Sequence, residues 1–388
     1  MLFSSTPWQA LLYMTVLFLG LLAQDANAIS NPFSNLKTSD VFQLLTDKPD
    51  YGGSCGPYIT AAKADKTKKL PNPEDAISET LTLCNAALDA LSEAIKDADP
   101  KKMKKDSYRQ NRKRILLLSR RLWGAKIDPV TLEHTTDSSK DTLKEVQYAY
   151  DELKGYITGK TKTYRLACDD TWAERVTKLE TKFDDKDKGT PVKDMKYFAA
   201  PFTGEQPDYV WWDRTKTGDN IPDAYFVQDN WNPEGPCSKG INKEQRDSTK
   251  KYARVQGEEM EQQKMIYICP GVWKLESAFQ IIGKSLKPYV KDEPIATDGK
   301  ESLDKYLTPG GVILHEMGHQ ILYGKDGDRG IGFGYGFYYS KQGKNDPAGA
   351  RLNPDSYVLF GAAMYLSKYD WSEGVARELS AMVGESGA

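Results

Sequence analysis

Two of the chain's three histidines stand four residues apart, with a glutamate directly after the first, in the run His315-Glu316-Met317-Gly318-His319. On a helix that spacing turns both imidazoles to one face, where they can share a metal ion. Glu316 then projects beside the metal rather than onto it, as a general base working on a metal-activated water must. Zinc takes imidazole readily, and zinc hydrolysis needs three protein ligands with a fourth position left for water. The pattern points to zinc-assisted peptide hydrolysis. The bland alternative is a helix with two unrelated core histidines and a chance glutamate. Against it stand the scarcity of histidine elsewhere and the apolar Val312-Ile313-Leu314 that lead in, as a buried helix requires.

A third ligand has to come from another part of the chain. One large class of zinc proteases places a histidine six residues past the second of the pair. Here that position is Lys325, and Leu322 stands where that class has glycine, so the class is excluded. His134 lies far upstream and reads as an ordinary surface or core residue. Glu373 and Glu378 lie downstream on sequence that can be helical, and a glutamate from a second helix defines another class. Asp355 is the better candidate, 36 residues after His319 and in the first turn of a final helix opened by Asn353-Pro354.

These residues need elements to hold them. A helix starting at Pro309 carries the histidine pair, and the final helix runs through Tyr365. Between them lies a connection of roughly thirty residues with Gly330, Gly332, Gly334 and Gly336 in alternation, the kind of long loop that forms a substrate-binding rim. Upstream, from about Ser39 to Ile157, the pattern is helical. Asn72-Pro73 opens a segment in which Ile77, Leu81, Cys84, Leu88, Leu91 and Ile95 recur every three or four residues. A second helix is expected from Lys104 to Trp123, burying Ile115, Leu118 and Leu122. A third starts near Ser138 or Ser139, with Leu143, Val146, Tyr150, Leu153 and Ile157 on one face. After Gly159, runs rich in β-branched and aromatic residues read as strands of a small sheet: Thr161 to Cys168, Asp208 to Trp212, Ala224 to Val227 and Met265 to Cys269. The fold class is therefore α+β. Its expected divisions are residues 1–28, a helical N-terminal part over 29–160, and a catalytic part over 161–388.

The apolar run Ala10 to Ala23, followed by Ala26-Asn27-Ala28, has the form of a secretory signal peptide cut after Ala28. No Lys or Arg precedes Lys37, so only the amino terminus supplies the usual positive charge. With 53 basic and 55 acidic residues the formal charge is -2, which argues against nucleic acid or an anionic membrane as the main partner. Five cysteines follow the leader, none in a Cys-x-x-Cys pair, so disulfides in an oxidising compartment are expected, with one thiol left over. Cys55 with Cys84 is the first pairing expected, since both lie in the helical part. Arg112-Lys113-Arg114 has the form of a processing site, but inside a periodic helix it reads better as a solvated cationic face. A secreted, soluble monomer is expected, with the N-terminal helices either a removable propeptide or, by preference, a retained subdomain.

The C-terminal third carries a family resemblance. Gly334-Tyr335-Gly336-Phe337-Tyr338-Tyr339, then Asn345-Asp346-Pro347-Ala348, then Asn353-Pro354-Asp355-Ser356-Tyr357-Val358-Leu359-Phe360 resembles the signature of the aspzincins, the deuterolysin and lysine-specific metallo-endopeptidase group, especially their secreted fungal members. Ile268-Cys269-Pro270-Gly271-Val272-Trp273 resembles a Cys-Pro-x-aromatic segment of the same family. The resemblance implies a zincin-like fold with one zinc ion held by His315, His319 and Asp355. It also implies Glu316 as general base, a tyrosine steadying the oxyanion, and protein or peptide substrates. Two departures stand out: Tyr357 lies two residues after the aspartate, where the deuterolysin pattern has its tyrosine at three, and Pro354 replaces the usual alanine. Tyr357 is the leading choice for the oxyanion role, with Tyr335 and Tyr338 as rivals. If cleavage precedes lysine, Asp326 and Asp328 in the glycine-rich loop are the acids available to receive it. A catalytically inactive, secreted zinc-binding antigen or effector on the same scaffold is the competing function, and Glu316 separates the two, since metal capture alone needs no general base.

Overall fold

The apolar spacing of the N-terminal part is realised as long amphipathic helices in the computed structural model, which describes residues 36–46, 52–67, 70–176, 210–215, 225–226, 237, 253–256, 265–273, 294–323, 337–340, 345 and 347–380. Helix α1 spans Gly56–Ala64, α2 Ala76–Ile95, α3 Asp106–Trp123 and α4 Asp137–Gly159. The stripe Ile77, Leu81, Cys84, Leu88 and Leu91 of α2 is buried, as is Leu143, Val146, Tyr150, Leu153 and Ile157 of α4. Asn72-Pro73 does not open α2 but forms the turn before it: the Asn72 side chain accepts from the Glu74 amide and donates to Asp75 at 2.8 Å. The helix begins one residue after Asp75. Helix α3 ends where Gly124 adopts φ +68°, its amide closing on the Arg120 carbonyl, a conformation that costs glycine nothing.

Strands β1 (Gln43–Leu44), β2 (Arg165–Ala167), β3 (Ala173–Val176), β4 (Val210–Asp213), β5 (Tyr225–Phe226), β6 (Ala253–Gln256) and β7 (Met265–Ile268) form two sheets. In the larger, the order is β1-β2-β7-β6, with β1, β2 and β7 parallel and β6 antiparallel at the edge. Leu166 pairs with Ile266, and Ile266 with Val255. All four residues of β7 are buried, which explains its unbroken apolar run: a strand covered on both faces has no polar face to show. The smaller sheet is the antiparallel β3-β4-β5. Beyond it come α5 (Pro309–Tyr323), α6 (Pro354–Tyr365) and the two-stranded β8 (Tyr369–Asp370) with β9 (Arg377–Glu378). The fold is mixed α and β, and the described residues from Lys37 onward belong to one compact unit.

Helix α5 occupies the centre. It packs on α2, α4 and α6 and also meets β6 and β7. The α2–α5 crossing is close because Gly310 has no side chain: a Cβ there would stand 2.8 Å from the Ala76 carbonyl oxygen and 2.8 Å from the Thr80 amide.

Two expectations are corrected. Cys55 pairs with Cys168 and Cys237 with Cys269, while Cys84 is a free, buried thiol on the inner face of α2. The Cys55–Cys168 bond joins the start of α1 to the end of β2, a proximity created by the parallel pairing of β1 with β2. The basic cluster is not a solvated face either. Arg112 is fully buried, its guanidinium donating to the carbonyls of Glu93 (2.9 Å), Lys96 (2.8 Å) and Leu132 (3.2 Å). Arg114 is buried too, reaching the Ala363 carbonyl. Both arginines serve backbone carbonyls left without partners at helix ends and loops, which a charge pattern does not reveal. The leader segment lies outside the described residues, and no helix among the described residues is long and apolar enough to cross a membrane.

Candidate metal centre

Helix α5 starts at Pro309, where a missing N–H costs nothing, and the Thr308 hydroxyl oxygen accepts from the Gly311 amide at 3.1 Å. Two turns later the helix brings His315 and His319 to the same face. Their Nε2 atoms are 3.1 Å apart and the rings meet edge to face with centroids 4.8 Å apart. Two nitrogens bound to one tetrahedral zinc stand roughly 3.3 Å apart, so the pair is set close to ligand spacing. At that distance one proton can bridge the two Nε2 atoms, or a metal can bind both from a point beside the line that joins them. His315 and Glu316 are buried. The residue types and spacing therefore fit a zinc ion.

Asp355 reaches this pair from α6. Asn353 caps that helix, its side-chain oxygen accepting from the Asp355 amide at 3.1 Å. Its other side-chain atom donates to the Ser340 hydroxyl at 3.2 Å, tying the cap to the short helical turn Phe337–Ser340. The approach of α6 depends on Gly318, between the histidines: a Cβ there would lie 3.1 Å from that of Pro354. With the first turn of α6 so pressed, Asp355 Oδ1 sits 2.6 Å from His315 Nδ1, both side chains buried. Burial alone would lower the His315 pKa; the adjoining Asp355 carboxylate, its hydrogen bond and the Glu316 charge override that and raise it. Asp355 thus grips the Nδ1 edge of His315, while the Nε2 edge faces His319. Among the described residues no three metal-binding side chains converge at coordination distances.

Tyr357 is corrected as the oxyanion donor. Two residues past Asp355 is about 200° around a helix, so Tyr357 points away from the histidines. Its ring is buried against Trp123 and Tyr150, and its hydroxyl donates to the Arg351 carbonyl at 2.9 Å. Burial pushes that phenol well above its ordinary value. It is a core residue. Tyr335 and the side chain of Tyr338 lie outside the described residues, as do Asp326, Asp328 and the alternating glycines.

The other candidates for a third ligand are engaged elsewhere. Glu373 pairs with Arg121 at 2.5 Å and Glu378 accepts from Thr297 at 3.2 Å. His134 is half-buried, with Nδ1 2.9 Å from the Ser139 hydroxyl and Nε2 2.8 Å from the Ala94 carbonyl. Sequence reasoning missed Gly318 and Ser340 as parts of the site. Gly318 carried a readable signal, since a glycine inside a helix that keeps its apolar pattern marks a close approach. Ser340 carried none. No protein-family model, curated protein or solved structure matches the chain.

Proposed function

We propose that this protein is a secreted zinc metallo-endopeptidase with a zincin-like catalytic fold, resembling the aspzincins. The observation that carries the reading is the pair of imidazoles on α5, His315 buried and His319 partly so, their Nε2 atoms 3.1 Å apart, with buried Glu316 directly after the first. The two disulfides suit an extracellular protein. His315 and His319 would hold the zinc, with Asp355 as the third ligand that the resemblance implies. When bound, zinc supplies a Lewis acid that polarises the scissile carbonyl and brings a water's pKa to about 7. Glu316 would take a proton from the attacking water as its oxygen bonds to the carbonyl carbon. As the carbon–nitrogen bond breaks, Glu316 delivers the proton to the departing amine. Glu316 is buried beside His315, so a water placed there is shielded from bulk solvent. Asn353 fixes the first turn of α6 and with it the carboxylate of Asp355.

The contact on His315 Nδ1 favours a second reading for Asp355 alone: it orients His315 from the ring's far edge, as carboxylates do for many metal-binding histidines, and another oxygen completes the zinc shell. Zinc affinity of Asp355→Ala separates the two. An orienting carboxylate costs about 10- to 100-fold, and a lost ligand costs far more.

The decisive experiment compares wild type with Glu316→Gln on an unfolded protein substrate, with zinc content measured for both. Equal zinc and a loss of cleavage of about 10²- to 10⁴-fold in the variant is expected for a general base. Equal zinc with no cleavage by either protein makes this a zinc-binding protein that uses the scaffold without hydrolysis.

A further inference from the structure

The N-terminal helices touch the two site-bearing helices with more than apolar surface. Thr80 of α2 donates its hydroxyl to the Gly310 carbonyl at 2.9 Å, and the neighbouring Glu79 carboxylate accepts from the Gly310 amide at 3.3 Å. That amide belongs to the first turn of α5, where N–H groups lack partners within the helix and the helix dipole favours a negative charge. Tyr150 of α4, fully buried, donates its hydroxyl to the Tyr357 carbonyl at 2.5 Å, two residues past Asp355. Arg114 of α3 closes the other end of α6 through the Ala363 carbonyl at 3.3 Å. Packing of apolar faces leaves a helix free to slide and roll by small amounts. Directed bonds to backbone atoms do not, and a metal site tolerates displacements of only about 0.5 Å and 10–20°.

We propose that Glu79, Thr80 and Tyr150 are positioning residues for the metal centre: they set the roll and height of α5 and α6 so that Asp355 meets the histidine pair. The N-terminal helices are then a permanent half of the site and not a removable propeptide. Burial of Arg112 and Arg114 agrees, since the basic cluster is closed to a processing protease in the folded chain. This inference rests on the zinc reading above.

The test measures zinc dissociation constants by chelator competition, and visible spectra of the cobalt-loaded protein, for Thr80→Val, Glu79→Gln and Tyr150→Phe. Ser119→Ala serves as control, because among the described residues its buried hydroxyl bonds within its own helix, to the Ile115 carbonyl at 2.9 Å. Each test variant is expected to remain folded by circular dichroism, to bind zinc about tenfold more weakly, and to shift the cobalt bands. The control is expected to lose some thermal stability with affinity and spectrum unchanged. Folded test variants with wild-type affinity and spectra overturn the proposal. If Tyr150→Phe fails to fold, Glu79→Gln decides, since its side chain is only partly buried. Wild-type protein that binds no zinc removes the metal reading itself, an outcome distinct from uniform tight binding.

Discussion

The helices and the larger sheet of this molecule are secured by different means. Helices α2, α3, α4 and α6 interlock through buried aromatic and polar side chains: Trp123 packs on Tyr357 and Phe360, Tyr150 reaches the backbone of α6, and Arg112 gathers three carbonyls. The sheet is stapled. Cys55–Cys168 leaves from the end of β2, and Cys237–Cys269 from the end of β7. Short strands of two to four residues bury little on their own, so covalent closure supplies what their packing lacks. Helix α5 touches both regions, which makes the histidine pair answerable to each.

The largest effect should come from the staples. The separations of 113 and 32 residues correspond, in the loop-entropy picture, to about 5 kcal/mol for Cys55–Cys168 and about 4 for Cys237–Cys269. Replacing Cys55 and Cys168 together by alanine should lower stability in urea by that order. Amide exchange should then rise first in β2 and β7, and an equal rise in α2 and α4 would abolish the contrast. Trp123→Ala should cost about 3–5 kcal/mol, with exchange rising in α3 and α6 while the sheet keeps its protection. Next comes Gly310→Ala. Alanine gains up to about 1 kcal/mol of helix propensity, yet its methyl meets backbone atoms of α2 that cannot move aside, so a net loss of about 1–3 kcal/mol is expected by thermal melting.

The smallest effect is a pH dependence. Burial lowers the His134 pKa, the nearby Arg112 and Lys140 charges add to that, and the hydrogen bond to the Ala94 carbonyl opposes it. The folded value therefore lies below the unfolded value of about 6.5, and protons bind the unfolded chain preferentially. The stability from a neutral His134 is complete above that value and declines as pH falls through it. Melting temperatures between pH 7 and pH 5 should fall less in His134→Gln than in wild type. Parallel curves would mean that the ring's surroundings do not act on its charge.

The same contrast governs what the sequence discloses. Helices α2, α3 and α4 show in it because their packing repeats at the helical period, α6 because Asn353-Pro354 marks its start, and the histidine pair because a spacing of four brings two side chains to one helical face. Asp355 stands out by its place at the start of the last helix behind a long glycine-rich loop, and it lies 2.6 Å from His315. The cysteine pairing was missed because it depends on β1 lying beside β2, where Gln43 pairs with Arg165, a contact with no local trace. Arg112 was misread because charge patterns count cations and not the carbonyls waiting for them. Tyr357 was misassigned because two helical residues turn a side chain to the opposite side, a rotation that a motif written as letters conceals.

The odd thiol carries its own consequence. Burial pushes Cys84 up to about 12, so at neutral pH almost none of it is thiolate. Exchange between sulfurs proceeds only through the thiolate. The native chain therefore holds a nucleophile that is chemically silent until the helix bearing it opens. Scrambled isomers accumulating on storage would report how often that helix opens, and the fifth cysteine becomes a clock for breathing.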